Sequence, residues 1–250
     1  MATSSMQLSG ERPRETQPGG GGLARSESPA ATTERGTTGP APRVLTPRAR
    51  RTRAHILRAA EELFAERGFR GTRLADVAAA VGIRRASIVY YFRDKPALYD
   101  AVLADALGGL LARLEAAVAR AEPLRDRVEA AVSVWVDYVG ARPTLARLLL
   151  REAVEAGPEG ASALALHLRP FVRLVQRLID ADPPLLHRKS AIDPAHAAAA
   201  IAGATLFFVG AMARLVPQLG FDPLAPEHLE SHRHEVLRIV DRLLGQDLSH

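Results

Sequence analysis

Residues 56–103 read ILRAAEELFAERGFRGTRLADVAAAVGIRRASIVYYFRDKPALYDAVL, and the order of apolar, small and basic residues within them decides the fold. Ile56, Ala60, Leu63 and Phe64 recur at helical spacing and predict a first helix that begins near Thr46-Pro47 and stops at Gly68. Two short helices that cross steeply need inward apolar residues, a small residue at their contact, and a turn residue that accepts positive φ. Val77, Val81, Ile83, Ile88 and Tyr91 fall at the inward positions, Ala78 is the small contact, and Gly82 stands at the turn four residues later. Thr72 is read as the cap of the first short helix, and Asp94 as the cap of the helix that follows the pair.

With Val81-Gly82-Ile83 as the turn, Arg84, Arg85, Ala86, Ser87 and Tyr90 face outward on the opening turns of the second short helix. Those positions suit the major groove of double-stranded DNA, where an arginine bonds guanine with two donors and a serine reaches base or phosphate. Arg85 is the leading candidate for base readout. Thr72, at a helix start, is a candidate for phosphate, because its hydroxyl joins exposed backbone N–H groups that favour anions, and Arg73 beside it is a further DNA-binding candidate. Lys95, Tyr90 and Tyr91 are further phosphate candidates. Arg48, Arg50, Arg51 and Arg53 sit at the opening of the first helix, where Arg48 and Arg51 in particular can follow the backbone of a duplex.

The same stretch resembles the DNA-binding domain of TetR regulators. The resemblance rests on Gly68-Phe69-x-Gly71-Thr72, Val77-Ala78-x-x-x-Gly82-Ile83 and Tyr91-Phe92-x-x-Lys95-x-x-Leu98. It implies a homodimer that binds a palindromic operator, usually to repress, and lets go when a small molecule enters a C-terminal domain. It also implies that Thr72, Tyr90, Tyr91 and Lys95 match positions that commonly touch DNA. Two residues depart from the pattern: Arg84 stands where a small cap is usual, and Val89 where a tyrosine is usual.

Charge supports a polyanionic partner for this region. The net charge of the 250 residues is +5, yet residues 46–100 hold twelve basic and six acidic groups, whereas residues 101–250 hold sixteen and eighteen. Residues 1–45, rich in Gly, Pro, Ser, Thr and Glu with four successive glycines at 19–22, show no apolar period and are expected to be a disordered tail. The expected organisation is therefore a tail at 1–45, a DNA-binding domain at 46–95, and a helical ligand-binding and dimerisation domain at 96–250.

Beyond residue 95 proline and glycine punctuate an otherwise helical pattern. Helices are expected near 96–119, 125–141, 144–155, 161–180, 194–215 and 227–244, with no strand pattern, so the fold class is all-α. The run Ala197–Ala213 is apolar except for Thr205, but it is short for a membrane span and built mostly of alanine and glycine, so a buried helix is expected and no membrane association. Gly203 and Gly210, with alanines around them, allow two helices to come close, as a dimer face requires.

Trp135, Tyr138, Phe171 and Phe208, together with Phe207 and Met212, are the candidate lining of a pocket for an unknown small-molecule effector, with Arg142, Arg147 or His167 as its polar contact. No nucleophile motif, phosphate loop or cysteine is present, so no catalytic site, cofactor or metal is expected. His228 and His232 have metal-pair spacing, but without the following glutamate they read as solvated histidines. A helical adaptor or membrane-associated module is the competing reading. The N-terminus has no secretory h-region, and a cytoplasmic protein is expected.

Overall fold

The computed structural model describes residues 46–155, 163–181 and 193–243, and the tail expected at 1–45 lies outside them. Among the described residues every regular element is helical, as the sequence pattern requires. The first helix, α1 (Pro47–Gly71), opens on Thr46, whose Oγ1 accepts from Ala49 N at 3.3 Å. Its regular course ends at Gly68, where φ is +74°. Two short helices follow, α2 (Leu74–Val81) and α3 (Arg85–Tyr91), and then the long α4 (Lys95–Arg120), capped by Asp94 Oδ1 on Ala97 N at 2.8 Å.

The body comprises α5 (Leu124–Ala141), α6 (Pro143–Glu155), α7 (Ala163–Asp180), α8 (Pro194–Gly210), the one-turn α9 (Met212–Leu215) and α10 (Pro226–Leu243), with a 3-10 turn at Pro217–Leu219. The single helix expected over 194–215 is in fact two. The chain leaves helical geometry at Ala211 (φ −120°, ψ −37°), after Gly210 has brought α8 against Leu150 and Ala146 of α6. Conversely, α7 runs through Pro170 without ending. No helix among the described residues is long and apolar enough to cross a membrane.

One core joins the N-terminal helices to the body. Ile56, Leu57, Ala60 and Phe64 of α1, Val77 and Ala78 of α2, and Ile88 of α3 are buried in the same cluster as Leu98, Val102 and Leu103 of α4 and Leu145 and Leu148 of α6. Thus α1 packs against both α4 and α6.

Candidate nucleic-acid interface and effector cavity

The pair α2–α3 folds around Gly82. Its φ of +72° and ψ of +30° place it in the left-handed region, and Gly82 N and Ile83 N donate to Ala79 O and Ala78 O at 3.1 and 2.9 Å. A Cβ built there meets no atom within 4 Å, so it is the backbone angle and not space that selects glycine. Val77, Ala78 and Ile88 are buried, and Val81, Ile83 and Tyr91 pack against the same core.

Because α3 sends Ile88 inward, its other faces are left to solvent. Arg84, Arg85, Ala86 and Val89 are exposed, Tyr90 is 58% exposed, and Ser87 is half-buried. Arg84 sits at the N-cap without a side-chain capping bond, so its guanidinium is not spent on the helix. Arg48, Arg51 and Arg73 are also exposed. Tyr91 is half-buried, with its ring edge-on to Tyr90 at 5.0 Å between centroids. Arg53 lies over the ring of Phe92 at 5.2 Å.

Two of the expected phosphate contacts also make bonds within the fold. Thr72 is fully buried, and its hydroxyl meets Leu63 O at 3.1 Å and Gly68 O at 2.9 Å, so it closes the end of α1. The cap of α2 is Arg73, whose N–H donates to Asp76 Oδ2 at 2.9 Å. Lys95 Nζ donates to Phe69 O at 2.7 Å and lies 4.3 Å from the centre of the Phe69 ring. Both side chains hold the α1 terminus, where freed carbonyls need donors.

In the body, α4, α5, α6, α7 and α8 enclose a cavity of about 460 Å³. Of the four expected lining aromatics, Trp135 and Phe171 are in its wall and Tyr138 and Phe208 are not. Tyr138 is buried against α4, where its hydroxyl donates to Ala106 O at 2.7 Å. Phe208 stacks on His232, with centroids 4.2 Å apart and planes 7° off parallel, and meets Phe221 edge-on. The proposed polar contacts are elsewhere too: Arg142 binds Glu61, His167 binds Asp100 at 2.8 Å, and Arg147 lines a separate cleft with Arg151 and Arg214.

Two histidines of α10, His228 and His232, are packed and bonded, not simply solvated. His232 Nε2 is 3.1 Å from Thr205 Oγ1, and burial pushes its pKa below the ordinary histidine value. His228 Nδ1 lies 2.6 Å from Asp222 O. Among the described residues no three His, Cys, Asp or Glu side chains group as a metal site would require.

A set of polar contacts absent from the sequence reading joins the two regions. Arg151 of α6 donates to Ala65 O and Glu66 O of α1 at 3.3 and 3.1 Å, and Tyr99 of α4 donates to Glu152 of α6 at 2.5 Å. Burial first, and then the Glu152 carboxylate, push the Tyr99 phenol far above its ordinary pKa. The neighbouring residues Leu149 and Ala153 line the cavity. One face of α6 therefore looks into the cavity while another grips the end of α1.

The family model for bacterial regulatory proteins of the tetR family matches residues 56–102. The HTH-type transcriptional regulator RutR of Escherichia coli is 36% identical over 106 residues, which are 41% of this chain and 48% of RutR. The chain thus spans about half the length of the curated relatives it matches. Two solved structures share the fold. The fatty acid degradation regulator FadR from Bacillus halodurans has a TM-score of 0.62 at 18% identity, over 83% of this chain and all of that one. FadR from Bacillus subtilis, solved in complex with stearoyl-CoA, has a TM-score of 0.60 at 17% identity, over 77% of this chain and 98% of its own. Residues 56–102, whose geometry is the α2–Gly82–α3 unit, thus carry the helix-turn-helix domain of bacterial regulatory proteins of the tetR family.

Proposed function

We propose that the protein is a cytoplasmic transcriptional repressor that binds a palindromic DNA operator as a homodimer and is released from it by a small molecule held in the body cavity. The observation that carries this reading is the division of α3: Ile88 is fully buried, while Arg84 and Arg85 at the start of the helix and Val89 and Tyr90 further along it are exposed. Seven residues fixed to a rigid core, with two arginines in the first turn, form a surface that fits the major groove. Arg48, Arg51 and Arg73 supply additional positive charge for phosphates.

A single short helix reads few base pairs, so two copies one DNA turn apart are needed for both affinity and discrimination. The exposed side of α8 supports such pairing. Ala199, Ala200, Gly203, Ala204 and Phe207 are all exposed at helical spacing, and a Cβ built on Gly203 meets nothing within 4 Å. A second α8 can come close against a surface this flat.

Coupling runs through α4 and α6. Leu107, Leu110 and Leu114 of α4 line the cavity, while the start of the same helix packs on α1. An occupant that favours one position of these helices shifts the spacing of the two α3 helices, to the extent that its affinities for the two states differ. FadR from B. subtilis was solved with stearoyl-CoA, and that precedent for a bound small molecule supports an effector role for the cavity here.

Selection of fragments from sheared genomic DNA by the full chain, followed by sequencing, tests the reading. The expected product is a two-fold symmetric site with half-sites about 10 base pairs apart centre to centre, or a multiple of that. Recovery of unrelated fragments with no shared symmetric element would contradict it.

A further inference from the structure

The cavity is unusual in its uniformity. Among the described residues every side chain that lines it is Leu, Val, Ile, Ala, Phe or Trp. No charged group, hydroxyl or amide side chain among the described residues reaches it, and the one side-chain polar atom that the described lining residues carry is Nε1 of Trp135. That N–H is buried and has no hydrogen-bond partner. An ionised group placed inside would lose its water and gain no counter-charge, so the enclosed part of any occupant is uncharged.

Shape narrows the class further. Lining residues on α7 extend from Leu164 to Ile179, fifteen steps that cover about 22 Å at the helical rise. A slot of this length and lining suits an extended aliphatic chain. Leu168, 37% exposed, belongs to the lining, so the slot opens beside α7 and a polar head remains in water there.

We infer that the cavity takes the hydrocarbon chain of an uncharged lipid, with one inward acceptor, such as an ester or hydroxyl oxygen, bonded to the indole N–H of Trp135. The inference rests on the cavity being the effector site. Because the N–H is shut off in the wall, a tilt of the ring toward the chain is part of binding. The gain is the satisfaction of a donor that would otherwise remain unmet.

Trp135 is the sole tryptophan, so its fluorescence reports on this site and no other. The full chain is titrated with methyl octanoate through methyl myristate, with the n-alkanes of matching length, and with a sterol. Affinity for the esters rises about fourfold per added methylene and levels off when the slot is filled. By calorimetry W135F weakens ester binding by about two- to tenfold and leaves the alkanes unaffected. Affinity independent of chain length, a sterol bound more tightly than any chain, or a W135F effect equal for esters and alkanes would overturn the inference. The length series needs no variant, so a misfolded W135F does not rescue it. Ester binding of this pattern without release of operator DNA would leave the lipid site standing and remove its effector role. Operator binding with no affinity for any chain would remove the lipid site and leave the DNA reading intact.

Discussion

Arg142, just past the end of α5, closes on the carboxylate of Glu61 in the middle of α1, with Nε 3.0 and 2.9 Å from its two oxygens and Nη2 on one of them. Glu61 is 2% exposed. Thr144 adds a hydrogen bond to Glu61 Oε1 at 2.6 Å, and Arg142 Nη2 also reaches Asp105 of α4 at 3.0 Å. Burial works against the charge on Arg142, but these partners hold its pKa above the ordinary arginine value. The cluster fastens the DNA-reading domain to three helices of the body.

Truncation of one partner leaves the other charged and buried. R142A is therefore expected to lower unfolding stability by about 3–5 kcal/mol, and the paired change E61L/R142M by much less. Urea denaturation of the three proteins checks this. A loss in R142A no larger than that in the double variant would rule out the stranded charge as the cause.

At Gly82 any other L-residue must adopt φ near +72°. G82A is expected to cost about 1–2 kcal/mol and to weaken DNA binding by turning α3 against α2. Thermal unfolding and anisotropy titrations report the two effects separately. Unchanged values in both would mean the turn tolerates a side chain.

On the exposed face of α8, a charge at the centre would have to be buried if two copies meet there. A199E and G203E should each shift the chain from dimer to monomer in light scattering, with helix content retained. Persistence of the wild-type mass in both variants would place any self-association elsewhere.

His232 titrates with a folded-state pKa below its ordinary 6.5 because burial disfavours the charged ring. Above pH 6.5 the ring is neutral in both folded and unfolded chains, and its packing on Phe208 is fully available. As pH falls through 6.5 the unfolded chain takes up the proton first, so stability declines. H232Q should lack this part of the decline when denaturation midpoints are compared between pH 7.5 and pH 5.5. Parallel pH curves for the two proteins would assign the loss to other groups.

The helices and the α2–α3 turn were legible because their signals are local: apolar spacing, caps, and one glycine at the required place. What a side chain bonds to depends on neighbours far along the chain, and there the sequence was silent or misleading. Thr72 and Lys95 look like surface anchors, but the end of α1 folds back to take both donors. Glu61 resembles an ordinary helix-surface acid, though it shares a face with Leu57 and Phe64, which was the available sign of its burial. Aromatic content pointed to Tyr138 and Phe208 as pocket residues, whereas the wall is mostly Leu, Val, Ile and Ala. Aliphatic residues at helical spacing are indistinguishable from core until helices are placed around a space.

The outward face of α3 is tested most directly by anisotropy titration of a selected operator duplex with wild type, R85A and R48A at several salt concentrations. If Arg85 reads a base, R85A loses about 1–3 kcal/mol of binding and accepts substitutions at one operator position, while R48A weakens all duplexes alike and lowers the salt slope by about one. R85A that binds the operator as tightly and as selectively as wild type would contradict the account.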